Sequence, residues 1–160
     1  MFVSDILAHK GGLVFTVPPS ATLSEITRQL STRRIGAVLV IDRLDQVVGI
    51  VSERDLVHAV AVHGSAALGL VAAEVMTREV VSCDPDDPIE RVMEIMTSGR
   101  FRHLPVVRNA ELLGLISIGD VVRLRLEEAT HETEALKAYI RSEEHTSELQ
   151  SPMYRMPSSA

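Results

Sequence analysis

The sequence predicts an α/β fold, α+β in the finer division, in which two strand-helix-strand-strand-helix units pack on each other through their sheets and a long helix follows. Three observations predict it. VPPSATLSEITRQL (Val17 to Leu30) recurs as CDPDDPIERVMEIM (Cys83 to Met96) at an offset of 66, and GIVSERDLV (Gly49 to Val57) recurs as GLISIGDVV (Gly114 to Val122) at an offset of 65. Stretches with a helical apolar period alternate with short apolar runs bounded by turn residues. Of 160 residues, 46% are hydrophobic but only 3% aromatic, so the core must be built from Val, Ile, Leu, Ala and Met, which suits strands packed by helices.

Each element has its own signal. The first copy with its lead-in is assigned to residues 1–72 and the second to 73–140. Each opens on a short extended segment, Leu13 to Val17 or Val80 to Cys83, closed by a Pro-containing turn. A helix follows. Thr22 with Glu25, and Asp87 with Glu90, have the spacing of an N-cap and its third helical residue, and Pro88 suits a first helical position because its missing N–H is an orphan there anyway. GAVLVI and VVGIV in the first copy, and HLPVV and LLGLI in the second, read as buried hairpin strands. The residue lost between the repeat blocks falls in RLDQ against RNAE, where a hairpin turn absorbs it. Second helices begin at Ser52 and Ser117. The last is long, with Val122, Leu126, Ala129, Thr133, Leu136 and Ile140 forming an apolar stripe that a second copy of the chain is expected to cover.

Residues 141–160 depart from this pattern. RSEEHTSELQSPMYRMPSSA is polar and Ser- and Pro-rich, the composition of a disordered segment, and it resembles a translated sequencing-adaptor read-through, so it is set aside as a non-native tail. The rest excludes several function classes. A net charge of −6 argues against binding a nucleic-acid backbone. No run approaches the roughly 18 apolar residues of a membrane span. The single cysteine permits no internal disulfide, and the start MFVSDILAHK has no leader pattern, so a cytoplasmic protein is expected. His and Cys spacings give no metal motif, and there is no phosphate-binding Gly-rich loop, nucleophile elbow or dinucleotide fingerprint.

The sharpest feature is Gly, two aliphatics, Ser, two variable residues and Asp, present at Gly49 to Asp55 and again at Gly114 to Asp120. Two readings compete for it. Ser52 with Asp55 and Ser117 with Asp120 are each a capping box. Alternatively, a helix N-terminus attracts a phosphate, the Ser adds a hydroxyl, the Asp accepts hydrogen bonds from ribose, and the Gly lets a ligand approach the backbone. Arg54, inside the first motif, is a further phosphate candidate.

With these motifs, the GAVLVID and RHLPVV strands, and DIL and EVM leading into each copy, the chain resembles a tandem pair of cystathionine-beta-synthase (CBS) domains, a Bateman module, over Val3 to Val122. The resemblance implies that an adenine nucleotide lies between strands of a repeat. Asp55 and Asp120 would meet ribose, and Ser52 and Ser117 would lie near phosphate. Val17, Ala37 and Ile50, or Cys83, Leu104 and Ile116, would line the adenine slots. It further implies that Arg102 and His103 reach phosphate, although solvated charge is the alternative for that pair. Gly36 and Ala37 stand at the corresponding place in the first copy, with Arg33 and Arg34 just upstream, so the two sites are expected to differ.

Together these point to a regulatory homodimer, arranged head-to-head or head-to-tail, that senses AMP, ADP, ATP or NADH without a catalytic cofactor and signals to an unknown downstream protein. Two rivals stand beside it: a structural interaction module whose Ser and Asp residues only cap helices, and an enzyme acting on the nucleotide.

Overall fold

A computed structural model describes residues 1–142 of the chain. In the first repeat, Thr22 caps helix α2 (Leu23–Arg33), its hydroxyl accepting from the Glu25 N–H at 3.2 Å, and Leu23, Ile26 and Leu30 bury one face. The helix ends where Arg34 turns left-handed, at φ 55°. Strands β2 (Ala37–Ile41) and β3 (Val47–Ser52) then pair antiparallel, and β1 (Thr16–Val17) adds to β2 in parallel. Helix α3 (Glu53–His63) completes the repeat.

The second repeat reproduces this plan with α5 (Ile89–Gly99), β4 (His103–Arg108), β5 (Glu111–Ser117) and the start of α6 (Ile118–Ser142). Ile89, Val92 and Met96 are buried, and Arg100 repeats the left-handed stop of Arg34 at φ 59°. The one-residue difference between copies does fall in the hairpin turn. The first turn carries Asp45 at φ 61°, with the Asp42 carboxylate accepting from the N–H groups of Leu44 and Gln46. The second is the tight pair Asn109–Ala110, both at positive φ, as a two-residue turn of the primed type demands.

Two local expectations are corrected. Pro88 is the N-cap of α5 rather than its first residue, and the Asp87 carboxylate accepts from the Asp84 N–H at 2.9 Å, so it closes the preceding turn. The extended lead of the second repeat shrinks to a parallel bridge, Cys83 to Val106, because the chain touches the sheet there through the Cys83 N–H and carbonyl only.

The lead-in segments pack crosswise. Helix α1 (Val3–Lys10) precedes the first repeat but joins the second: the Val3 and Ser4 N–H groups donate to the carbonyls of Asp87 and Pro85, and Leu7 lies against Gly114. Helix α4 (Ala72–Val75) precedes the second repeat but joins the first, with Ala72 and Ala73 donating to Ala21 and Pro19. The core of the first repeat gathers Val17, Leu23, Ile26, Val38, Val40 and Val51, and the second buries Ile89, Val92, Leu104, Val106 and Ile116.

Residues Met1–Val121 form one compact unit, and the remainder of α6 from Val122 another. In the latter, Val122, Leu126, Leu136 and Ile140 of the apolar stripe are exposed. Helix α6 continues through Arg141 and Ser142, two residues into the segment read as tail. The rest of that segment lies outside the described residues. Among the described residues no helix is long and apolar enough to cross a membrane.

Candidate functional site

The junction of β3 with α3 sets the first part of the site. Ser52 ends the strand and caps the helix; its N–H donates to Asp55 Oδ2 at 2.8 Å and its hydroxyl to the same oxygen at 3.1 Å. The other Asp55 oxygen accepts from Thr77 Oγ1 at 3.3 Å. Ser117 and Asp120 repeat the box, with the Ser117 N–H donating to Asp120 Oδ2 at 2.8 Å and the Asp120 N–H to Ser117 Oγ at 3.2 Å. Both motif acids therefore cap their helices, as the simpler reading requires.

Capping does not exhaust the first motif, because it opens onto a cavity of about 360 Å³. Ile50, Ser52, Arg54 and Asp55 form one side, and the second repeat supplies Arg100, Phe101, Arg102 and His103. Thr77, Glu79, Val80 and Val81, following α4, form a third wall. Gly36 admits this closeness: a methyl group there would meet His103 Nε2 and Glu53 Oε1 at 3.0 Å. Arg54, Arg100 and Arg102 line the cavity without an ion-pair partner among the described residues. Burial lowers the pKa of His103, which Lys10 and Arg102 reinforce and Glu53 and Asp120 oppose, so at neutral pH its imidazole is uncharged.

Six residues singled out in the sequence thus share one cavity: Ile50, Ser52, Arg54, Asp55, Arg102 and His103. Others lie elsewhere. Ser117 and Asp120 belong to the second motif. Val17, Ala37 and Cys83 are buried, and Leu104 and Ile116 are fully enclosed. The register explains the last pair, since Leu104 opposes Ile116 as Val38 opposes Val51, both on the core face. Ile50 corresponds instead to Leu115, one residue away and on the other face. Burial with nearby Asp87 and Asp84 pushes the Cys83 thiol up to about 12, which leaves it protonated and a poor nucleophile.

Two physical expectations for the motif change. Gly49 and Gly114 make room for protein: an added methyl would collide with the Met76 side chain at Gly49 and lie 2.7 Å from Leu7 Cδ2 at Gly114. The N-terminus of α3 is also partly satisfied, since the Glu53 N–H donates to the Gly36 carbonyl at 3.0 Å. Cationic side chains are therefore left to attract an anion. Arg100, Phe101, Thr77, Val80 and Val81 escaped the sequence reading, although the left-handed stop at the end of α5 is what brings Arg100 and Phe101 to the cavity.

The arrangement offers apolar walls for a flat ring, a carboxylate that can accept from hydroxyls, and three guanidinium groups for a negatively charged group. Comparison with known proteins gives consistent neighbours. A CBS-domain-containing protein of Agrobacterium tumefaciens is similar at 48% identity and a TM-score of 0.77, over 78% of this chain and 99% of that one. A CBS domain protein of Pyrobaculum aerophilum, solved complexed with AMP, is similar at 29% identity and a TM-score of 0.69, over 81% of this chain and 99% of that one. A mitochondrial CBS domain-containing protein of Arabidopsis thaliana is 30% identical over 86% of this chain and 71% of its own length. The CBS domain family itself matches residues 4–62 and 71–127, and with two such repeats in one mixed α/β fold this chain belongs to the CBS domain family.

Proposed function

We propose that the chain is a regulatory module that binds an adenine nucleotide, AMP, ADP, ATP or NADH, in the cavity beside Asp55 and does not transform it. One observation carries this reading: apolar walls, an acceptor carboxylate and three arginines without an ion-pair partner among the described residues converge on one cavity built from both repeats. The AMP complex of the Pyrobaculum aerophilum protein supports the ligand class. Adenine would pack against Ile50, Val80 and Val81, ribose would meet Asp55, and phosphate would meet Arg102 with Arg54 or Arg100. A ligand touching both repeats favours one arrangement of them over another, and that differential affinity is the signal passed to a partner. Cys83, protonated and buried, does not support a nucleophilic enzyme.

The exposed stripe of α6 supports a homodimer, and the module is proposed to act in the cytoplasm. Light scattering of Leu126→Glu/Leu136→Glu is expected to give monomers. A dimer that survives both changes removes the stripe from the interface.

A thermal-shift panel of AMP, ADP, ATP, NADH, S-adenosylmethionine and GTP tests the ligand. A compound that binds only the folded state stabilises it by about 2.7 kcal/mol at a hundredfold excess over its Kd. An adenosine-specific rise is expected. A flat panel leaves the capping reading, which the observed Ser52–Asp55 and Ser117–Asp120 hydrogen bonds favour, and makes the chain a structural interaction module.

A further inference from the structure

The second motif is engaged differently from the first, and the difference begins in the lead-in segments. Leu7 packs on Gly114 as Met76 packs on Gly49, and the residues three further along the sequence, Lys10 and Glu79, carry opposite charge. Lys10 is still in helix α1, whereas the chain has left α4 at Val75 and bridges Ile50 through Thr77 before it reaches Glu79. Glu79 lines the first cavity beside Asp55, and like charge gives it no reason to approach that acid. Lys10 does the reverse. Its ammonium donates to Asp120 Oδ2 at 2.7 Å and to the Leu115 carbonyl at 2.9 Å, and Leu115 corresponds to the cavity residue Ile50.

The backbone follows the side chain. Gly11, at φ 86°, turns the chain so that Gly12 lies against β5, where an added methyl would stand 2.5 Å from the Leu113 carbonyl oxygen. In the first repeat, Val80 and Val81 stand back and border open space. Asp120 is accordingly only 8% exposed, whereas Asp55 is half-buried and faces the cavity.

We propose that Lys10 is an internal occupant of the second cleft, holding the Asp120 carboxylate where a ligand's hydroxyl groups would otherwise donate, so that each chain takes up one nucleotide, at Asp55. An ammonium at 2.7 Å from a shielded carboxylate is a charge-assisted contact, stronger than the neutral hydroxyl contacts that would have to displace it. The asymmetry makes the pair of repeats a one-input device: the first cleft responds to ligand and the second is a fixed joint.

Titration calorimetry of the full chain with AMP, ADP, ATP and NADH tests this, and it rests on the nucleotide reading of the first cavity. Wild type is expected to take up one nucleotide per chain, Asp55→Asn to lose it and Asp120→Asn to keep it. Lys10→Met is expected to bind about two, and Asp55→Asn/Lys10→Met about one. Lys10→Gln, which keeps a donor but not the reach, is expected to behave as Lys10→Met and covers the case in which the methionine variant does not fold. Two nucleotides per wild-type chain, one per chain in both Lys10 variants, or loss in Asp120→Asn but not in Asp55→Asn overturns the proposal. No uptake by any of the proteins instead overturns the nucleotide reading itself, and the proposal with it.

Discussion

Gly49 lies directly against the side chain of Met76, and Gly114 stands in the same relation to Leu7. The glycine of each motif is therefore a seat for the lead-in segment. Its absent side chain makes room for Met76, which follows α4, at Gly49 and for Leu7 of α1 at Gly114. Gly49→Ala and Gly114→Ala are expected to destabilise the fold by about 1–3 kcal/mol each through overpacking. Urea denaturation measures this, and Gly49→Ala/Met76→Ala should recover part of the loss. Unchanged stability in both glycine variants would show that the seat is loose.

Asp55 caps α3 and faces the cavity, so its two roles separate experimentally. Asp55→Asn is expected to lower stability without ligand by about 1 kcal/mol, the usual worth of a cap. It should also abolish the additional stabilisation that an adenine nucleotide gives wild type. If the cap loss appears while the ligand shift is untouched, Asp55 does not contact the ligand.

Arg54, Arg100 and Arg102 have no ion-pair partner among the described residues, so truncating them removes little from the folded state. Arg102→Ala is expected to weaken binding of a nucleotide phosphate by roughly tenfold to a hundredfold, the range of a hydrogen bond to a charged group. Its unliganded melting temperature should stay near that of wild type. Equal affinity for adenosine and AMP in the wild type would remove the arginines from phosphate recognition.

The titrating groups make two pH windows. The folded state lowers the pKa of His103, chiefly through burial. Protonation is therefore easier in the unfolded chain, and this contribution is present above about pH 6.5 and lost as pH falls through the folded value. His103→Gln should flatten the fall in stability that wild type shows as pH drops below about 6.5. The Asp120 carboxyl is also held low. Burial pushes it up, but the hydrogen bonds from Lys10 and the Ser117 N–H outweigh that. Its stabilisation is complete above about pH 4 and lost as pH falls through the lowered folded value, so the stability gap between wild type and Lys10→Met should narrow only in that acid range. A gap independent of pH would mean that the Lys10 stem, not its charge, is what matters.

The sequence by itself determined the features written in neighbouring residues. The doubled block, the Thr22 cap, the buried faces of α2 and α5, the hairpins and the Ser-Asp boxes all follow from local backbone geometry, which repeats every two residues in a strand and every 3.6 in a helix. Six residues of the cavity were legible because a motif or a pair of adjacent donors marked them. Tertiary structure alone decided the rest. The ion pair of Lys10 with Asp120 joins residues 110 apart, and no periodicity connects them. The crosswise packing of α1 and α4 was likewise hidden, because either repeat offers an equivalent apolar seat and only chain path and close packing select between them. The facing of Ile116 away from the cleft was settled by strand register, where a slip of one residue exchanges core for surface.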